Sequence, residues 1–428
     1  MIAVLWLALA ATQDTSHASR LELADVYREV RTASPRAEAA RALALATHAR
    51  VASAKRPSDP LVQLGWMNYA IPGFRPMDAI GMAQLQVMQM LPIAGKLGLS
   101  GRSAQAQADA ASERARDIEW SVRSQAAMAF YDLYAVDRGL EVARQTLRSL
   151  ADVLNTAEAM YRVAEGRQAD VLRAQVEIAR MVADTLRMTA MRSGMAGQLN
   201  ATLNRPGDAK VGSPSLPQFP DSAPPLASLL AWSDADRPMV RAARRDVDAA
   251  AAQAQAARRD IWPDLTVGLQ YGQRGPLLQA ERMASLMIGA SVPVFARSRQ
   301  LRMREETAAM RQMAEAEVSA MRASTRSEVI TAYANLVRAH SLATLYHTTI
   351  IPQAEATVAS AFAAYRVGGV DFMTLLDDRM TVNNYRQQLS ELEAEQGRSW
   401  SELEMLLGRE LFSPIAVAAH STRRKEAP

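Results

Sequence analysis

The chain has 428 residues, of which 49% are hydrophobic, 22% are charged and only 5% are aromatic. Its 49 basic and 45 acidic residues are spread along the whole sequence, so the net charge of +4 is a small excess and not a basic patch. This pattern excludes a nucleic-acid surface, which would cluster Lys and Arg with exposed aromatic residues. The absence of cysteine excludes disulfides and thiolate metal sites. The composition favours long, closely packed helices over a thick globular core.

Residues 1–18 resemble a secretory signal peptide. Residues 2–11 form a ten-residue apolar run that ends in small residues, and cleavage would fall near Ala10 or Ala18. The alternative is an ordinary helix start, since the basic residues that usually precede such a run are missing. No stretch of the sequence has 18 consecutive apolar residues, so no transmembrane helix is expected.

Residues 19–204 are predicted to form a first repeat of helices and two short strands. Alternating apolar and polar residues indicate the strands, and prolines mark their ends. The predicted order is a helix over 21–56, strands over 61–69 and 84–90, a helix from 96 to about 160, a break at 161–166 and a helix over 169–203.

Residues 205–225 form a predicted linker with six prolines, after which the same order returns over residues 226–411. The second repeat is predicted to contain a helix over 226–260, strands over 264–272 and 285–292, a helix over 298–364 broken once by Pro352, a break at 365–370 and a helix to about 407. Residues 412–428 are predicted to be a poorly ordered tail.

A near-constant offset between matching residues indicates an internal duplication. The offset is 203 residues for Pro35/Pro238, Pro60/Pro263, Gly65/Gly268, Phe130/Tyr333 and Leu133/Leu336. It is 201 for Pro92/Pro293, and 204 for Tyr161-Arg162-Val163 against Tyr365-Arg366-Val367.

The β part, residues 61–92 and 264–293, offers only four strands per chain. Four strands cannot close a barrel, and lipid tolerates no open sheet edge. Strands from several chains would therefore have to form one wall, and three chains give twelve strands, an even number in the known range. Helical segments of about 65 residues would span on the order of 100 Å. Packed by their coiled-coil seams, they would extend the barrel as a helical cylinder.

This order of elements resembles the TolC-like outer-membrane efflux channels over nearly the whole chain. The most specific motifs are Leu91-Pro92-Ile93-Ala94-Gly95-Lys96 at a strand exit and Tyr365-Arg366-Val367-Gly368 followed by Leu375-Leu376-Asp377. The first motif resembles family members that serve heavy-metal efflux. The resemblance implies a mainly α fold with a small β part, in which duplicated long-helix hairpins form an α-helical barrel. Four strands per chain would contribute to a trimeric 12-stranded transmembrane β-barrel.

The resemblance also implies a location and partners. A homotrimer would sit in outer-membrane lipid, and its helical barrel would extend into the periplasm. Its tips would dock to a periplasmic adaptor (membrane fusion) protein that is served by an inner-membrane efflux pump. No catalysis and no cofactor are implied.

The two helix breaks are candidate docking sites, because the tip residues of the family meet the adaptor hairpins. The adaptor-docking candidates are Val163, Ala164 and Glu165 in the first repeat and Val367, Gly368 and Gly369 in the second. The first repeat departs from the family pattern, since its glycine is displaced to position 166. The alternative is that the glycines only supply the positive φ that a helix reversal needs.

The family's channel often closes near the tips through carboxylates that face the axis, nine and twelve residues after the tip tyrosine. The periplasmic gate candidates at these positions are Asp170, Thr374 and Asp377, and Arg173 occupies the fourth. Three copies of an axial Asp would attract cations. The alternative is a solvated carboxylate on a helix face.

No other motif predicts catalysis or a metal site. The 22 methionines invite a soft-cation interpretation, but adaptable core filler is the preferred interpretation because no compact cluster occurs beyond Met88 and Met90. His340 and His347 share a helix face without a third ligand nearby.

The sequence therefore predicts a passive outer-membrane exit duct for metal cations, or alternatively for other small molecules. Polar strand positions are expected to face its lumen: Gln63, Gln84, Gln86, Thr266 and Gln270. The rival hypothesis is a soluble periplasmic elongated coiled-coil scaffold, whose strand pairs would form a small cap.

Overall fold

A computed structural model describes residues 20–73, 75–76, 81–220, 222–274 and 281–412. The predicted signal peptide and, apart from Phe412, the predicted tail lie outside the described residues. Among the described helices, none is long and apolar enough to cross a membrane.

The fold is mainly helical with a small sheet, as predicted. Helices α1 to α9 span Leu23–Ala33, Pro35–Ala54, Lys96–Arg162, Gln168–Thr202, Leu226–Asp236, Pro238–Arg259, Gln300–Leu345, Ile351–Tyr365 and Phe372–Leu407. Strands β1 to β6 span Leu61–Met67, Tyr69–Ala70, Arg75–Pro76, Met82–Leu91, Leu265–Arg274 and Glu281–Ala290.

Two predicted helices are each divided by a proline. The predictions of one continuous helix over 21–56 and one over 226–260 are each wrong at one position, because new helices begin at Pro35 and Pro238. A residue before proline avoids the helical region, and Arg237 accordingly has a ψ of 120°. Proline itself is well suited to the first turn of a helix, where no N–H bond is lost.

Pro352 does not break its helix as sharply as expected. A five-residue π-helical turn, Tyr346–Ile350, connects α7 directly to α8, and Pro352 lies at the start of α8. A proline cannot donate to the preceding turn, so a local widening of the helix accommodates it.

Four strands form one antiparallel sheet in the order β1-β4-β5-β6. The hairpin of each repeat contributes two neighbouring strands, and β4 joins β5 across the repeats through ten residue pairs. Strands β2 and β3 extend the first hairpin as a separate pair. The sheet is open, with β1 and β6 at its edges, so the closed barrel is not formed by one chain.

The described chain divides into two compact units that each draw on both repeats. One unit holds the described residues up to Pro35, Trp120–Ser228 and those from Val329 onward. The other holds Arg36–Glu119 and Leu229–Glu328, and therefore the four-stranded sheet. In this second unit small side chains let α2 and α3 approach closely: Ala40, Ala44, Ala111 and Ala115.

In the first unit, a buried ion pair holds the segment after α9. The Arg123 Nη2 atom lies 3.1 Å from Oε2 of Glu404, whose side chain is 2% exposed. The other oxygen of Glu404 accepts the backbone N–H of Leu411 at 2.9 Å. Burial raises the pKa of Glu404, and the positive charge of Arg123 opposes that rise. The guanidinium also covers the Tyr27 ring at 3.8 Å.

Candidate functional site: strand faces and helix tips

One face of the four-stranded sheet is mainly apolar, and its polar residues Gln89, Gln273 and Arg282 lie towards the strand ends. Strand side chains alternate between faces, and residues paired across strands share a face. The register aligns Val62, Val87, Leu269 and Leu286 in one row across all four strands. These side chains are exposed in the single chain, Leu286 by 68%.

The opposite face carries the predicted lumen residues. Gln63, Gln86, Gln270 and Ser285 form the next row across the four strands. On the same face, Nε2 of Gln270 donates to the side-chain Oε1 of Gln84 at 2.5 Å. On the described part of this face, charges occur only on Arg274 and Glu281, which are paired where β5 ends and β6 begins.

The polar face also carries every methionine of these four strands, a placement that was not predicted from the sequence. The six residues are Met67, Met82, Met88, Met90, Met283 and Met287. Met88 and Met287 lean over Gly268 from both sides, since a Cβ there would meet them at 3.3 and 3.4 Å. Core filling does not explain this placement, because most of these side chains lie on an accessible face. The sequence signal for this placement is that Met82, Met88 and Met90 share the even-numbered phase of Gln84 and Gln86 in β4.

The strand-exit motif joins the two repeats below the sheet. Nζ of Lys96 donates to the carbonyl oxygen of Trp262 at 2.8 Å and to Oδ1 of Asp264 at 2.9 Å. It also lies 3.4 Å from Oδ1 of Asp260. Arg259 adds a bond to the carbonyl oxygen of Ala94 at 2.9 Å. The motif therefore has a structural role that its sequence alone did not reveal.

Both helix tips adopt the same turn. The N–H groups of Ala164 and Gly368 donate to the carbonyl oxygens of Tyr161 and Tyr365, at 3.0 and 3.1 Å. A second bond reaches one residue further back in each tip, from Glu165 to Met160 and from Gly369 to Ala364. These bonds define a Schellman-type helix end.

The displaced glycine of the first tip does not change this geometry. Ala164 takes the left-handed conformation with a φ of 60°, and Gly368 does so with a φ of 73°. The valines before them, Val163 and Val367, are 65% and 83% exposed. An exposed valine on a rigid turn can provide a small apolar contact for a partner.

Packing brings the two tips together in the first unit. The tip-proximal core is shared by both helical hairpins: Ala157, Ala174, Ala361, Tyr365, Phe372, Leu375 and Leu376. Burial raises the pKa of the Tyr365 phenol, and the negative charge of Asp170 raises it further. Asp170 of the first repeat therefore lies near the second tip.

The gate candidates of α9 lie on one exposed side of its first turns. Asp371 caps the helix, because it accepts the backbone N–H of Thr374 at 3.0 Å and the Thr374 hydroxyl at 2.5 Å. These bonds lower the pKa of Asp371, and the positive charges of Arg167 and Arg173 add to the effect. Thr374 is thus engaged locally, whereas the Asp377 carboxylate is exposed and makes no ion pair with any described residue.

The second repeat matches a known protein family. Residues 232–409 fit the family model described as outer membrane efflux protein. No curated protein matches the chain by sequence.

Solved structures match nearly the whole fold. The outer membrane protein VceC from Vibrio cholerae has a TM-score of 0.77 at 17% identity, over 91% of this chain and 97% of its own. The open state of the MtrE channel of Neisseria gonorrhoeae has a TM-score of 0.77 at 15% identity, over 91% and 89%. CusC, a transmembrane channel, has a TM-score of 0.76 at 16% identity, over 90% and 92%.

Proposed function

We propose that this chain is a non-enzymatic outer-membrane exit duct of a tripartite efflux system. The match of residues 232–409 to the outer membrane efflux protein family model supports the proposal, as does the likeness of the fold to solved outer-membrane channels. An inner-membrane pump would load the cargo, and a periplasmic adaptor would join the pump to the helix tips. The chain would work as a homotrimer whose helices form a barrel in the periplasm. The cargo would be metal cations or small organic molecules.

The exposed apolar face of the sheet carries this proposal. Leu64, Leu286 and Ile288 are 68%, 68% and 72% exposed in the single chain. Burying such surface is favourable by about 25 cal/mol for each Å², and lipid offers that burial without a protein partner. The glutamine face would then line a water-filled lumen. The unpaired edges of β1 and β6 would be closed by the strands of other copies.

The soluble scaffold is the weaker hypothesis. It would leave the apolar face in water, where monomeric proteins rarely expose contiguous apolar patches beyond a few hundred Å². It would also leave two hydrogen-bonding strand edges open to aggregation.

The polar face bears on the cargo. Thioethers bind soft monovalent cations such as Ag(I) and Cu(I), so the methionines support metal cations as the first cargo class. The amides and the scarcity of charge would also let uncharged organic molecules pass without an electrostatic barrier. Selectivity would reside mainly in the pump.

Loss and rescue in the native host test the proposal. Cells that lack the chain should become more sensitive to one class of metal ion or organic compound, and the wild-type chain should restore resistance. Val367→Asp should reach the outer membrane but fail to restore resistance, because a charge replaces the apolar contact at the tip. Val337→Asp, a matched control on exposed α7 surface, should restore it. Full resistance without the chain under all compounds would contradict the exit-duct role.

A further inference from the structure

A small polar cavity lies between α3, α8 and α9 in the first unit. It has a volume of about 110 Å³ and is lined mainly by polar side chains, among them Gln145, Ser149, Glu355, Arg379 and Arg386. Because α3 belongs to the first repeat and α8 and α9 belong to the second, the cavity lies where the two repeats meet. A cavity of this size has room for a few water molecules or for one polyatomic ion.

Arg386 engages the acceptor oxygens on one side of this cavity. Its Nε and Nη2 atoms donate to Oε1 of Glu355 at 3.2 and 2.6 Å, and its Nη1 atom donates to Oε1 of Gln145 at 3.1 Å. The side-chain oxygen of Gln145 is therefore occupied, whereas its Nε2 group has no acceptor among the described residues. The hydroxyl of Ser149, one turn further along α3, has no acceptor among them either.

Arg379 lies two turns before Arg386 on α9 and lines the same cavity. Its Nε atom is buried and has no hydrogen-bond partner in the described part of the chain. Burial lowers the pKa of the Arg379 guanidinium, the positive charge of Arg386 lowers it further, and the negative charge of Asp152 opposes both effects. A buried donor that has lost its water needs an acceptor in return. The cavity therefore favours a ligand that accepts hydrogen bonds.

The charges that line the cavity favour an anion. Arg379 and Arg386 are opposed there by the single carboxylate of Glu355, so one positive charge is in excess. That carboxylate is 44% exposed and is held by Arg386. Asp152 is exposed and forms no ion pair within 4 Å of Arg379. Arg379 is therefore the group whose charge is left without a direct partner among the described residues.

We propose that this cavity binds a small tetrahedral oxyanion of the phosphate or sulfate type. The guanidinium of Arg379 offers a planar fork of N–H donors that suits two oxygens of such an ion. The Ser149 hydroxyl and the Gln145 amide supply neutral donors for the others. The bound anion connects α3 of the first repeat to α9 of the second. This site is contained in one chain, so the inference goes beyond the proposed efflux role and does not depend on it.

Titration of the full-length chain, purified in detergent, with inorganic phosphate tests the site. Isothermal titration calorimetry at constant ionic strength, with sodium chloride as the balancing salt, should show one saturable site per chain. Sulfate should compete for this site, because its four oxygens have the same tetrahedral arrangement. Saturation with phosphate should raise the Tm by about 2 °C over the chloride buffer.

Variants of Arg379 separate a binding site from a general salt effect. Arg379→Met keeps much of the side-chain volume but removes the donors, so phosphate binding should be lost. In phosphate-free buffer this variant should be at least as stable as the wild type, because an unpaired buried charge has been removed. Arg379→Lys keeps the charge without the fork and should weaken phosphate binding by about tenfold.

Arg148→Met is the matched control. Arg148 is exposed on α3 and does not line the cavity, so this variant removes the same charge and should bind phosphate as the wild type does. Saturable binding that is lost in Arg379→Met and kept in Arg148→Met would support the site.

Two results would overturn the inference. Phosphate effects that are absent from the wild type, or equal in all variants, would show that water alone fills the cavity. A marked loss of stability of Arg379→Met in phosphate-free buffer would show that the arginine is satisfied without an anion. Neither result bears on the efflux role, because that role is tested by the resistance of cells.

Discussion

Ala164 and Gly368 hold the same left-handed backbone conformation at equivalent places in the two repeats, with φ of 60° and 73°. A left-handed residue with a Cβ is strained by about 1–2 kcal/mol. Gly368→Ala should therefore lower the stability of the tip by about 1 kcal/mol, since nothing else lies within 4 Å of an added Cβ. Hydrogen exchange of the tip amides measures this change.

The reciprocal variant is the control for that experiment. Ala164→Gly should leave the first tip equally stable or more stable, because relief of strain offsets the greater freedom of glycine in the unfolded chain. Faster exchange in Ala164→Gly than in Gly368→Ala would contradict the shared turn.

Removing Arg123 should expose the cost of the buried Glu404 carboxylate. Breaking such a pair costs about 3 kcal/mol or more, because the remaining charge has no partner. The pKa of Glu404 is raised in the folded state above its ordinary value of 4.5. Protonation of Glu404 therefore stabilises the folded state below pH 4.5, and this stabilisation is lost as the pH rises through the folded-state pKa. The stability deficit of Arg123→Ala should therefore shrink as pH falls towards 4.5.

The measurement is thermal unfolding of both proteins in detergent from about pH 4 to about pH 8, a range that includes the usual region of maximal stability. In a Glu404→Gln background, Arg123→Ala should cost less and show no such pH dependence. A deficit that stays constant with pH in the Glu404 chain would show that packing against Tyr27, and not charge, dominates.

Asp377→Ala should reduce cation block of the channel. Three copies of an exposed carboxylate around an axis would concentrate cations, and Asp377 has no described ion partner that would neutralise it. Thr374→Asp should act in the opposite direction by adding a charge one turn earlier. Planar-bilayer currents with divalent cations on the tip side measure both effects. Unchanged block in both variants would remove this face of α9 from the gate.

The methionine face should make the channel sensitive to soft cations. Met88→Leu with Met287→Leu keeps the apolar volume over Gly268 but removes both sulfur atoms, so Ag(I) should bind and block more weakly. Met310→Leu with Met313→Leu, exposed on helix α7, should behave as the wild type. Equal Ag(I) block of all three proteins would exclude the strand methionines as ligands.

The strand faces could be predicted because alternation records them directly. In the sheet Val87 pairs with Leu269 on one face, and Gln86 pairs with Gln270 on the other. The alternation of apolar and polar residues in each strand predicts the same two faces. The proline-started helices were also within reach, since Pro35 and Pro238 repeat at a constant offset. They were missed because helical composition continues across both residues.

Other features depend on contacts that no local pattern records. The partners of Lys96 lie more than 160 residues away along the chain. No glycine marks the left-handed conformation at position 164 in the sequence. Only the equivalence of Ala164 to Gly368 could have indicated it. Docking at the tips and the gate remain predictions, because they concern partners or assemblies of several chains. The division into two repeats with a linker also remains a prediction.

The number of copies in the particle purified from detergent-extracted outer membranes tests the central claim most directly. Native mass spectrometry combined with electron microscopy should find three copies per particle, with twelve strands closed into one barrel above the helices. A monomer recovered in the soluble periplasmic fraction, with its sheet edges still open, would contradict the account.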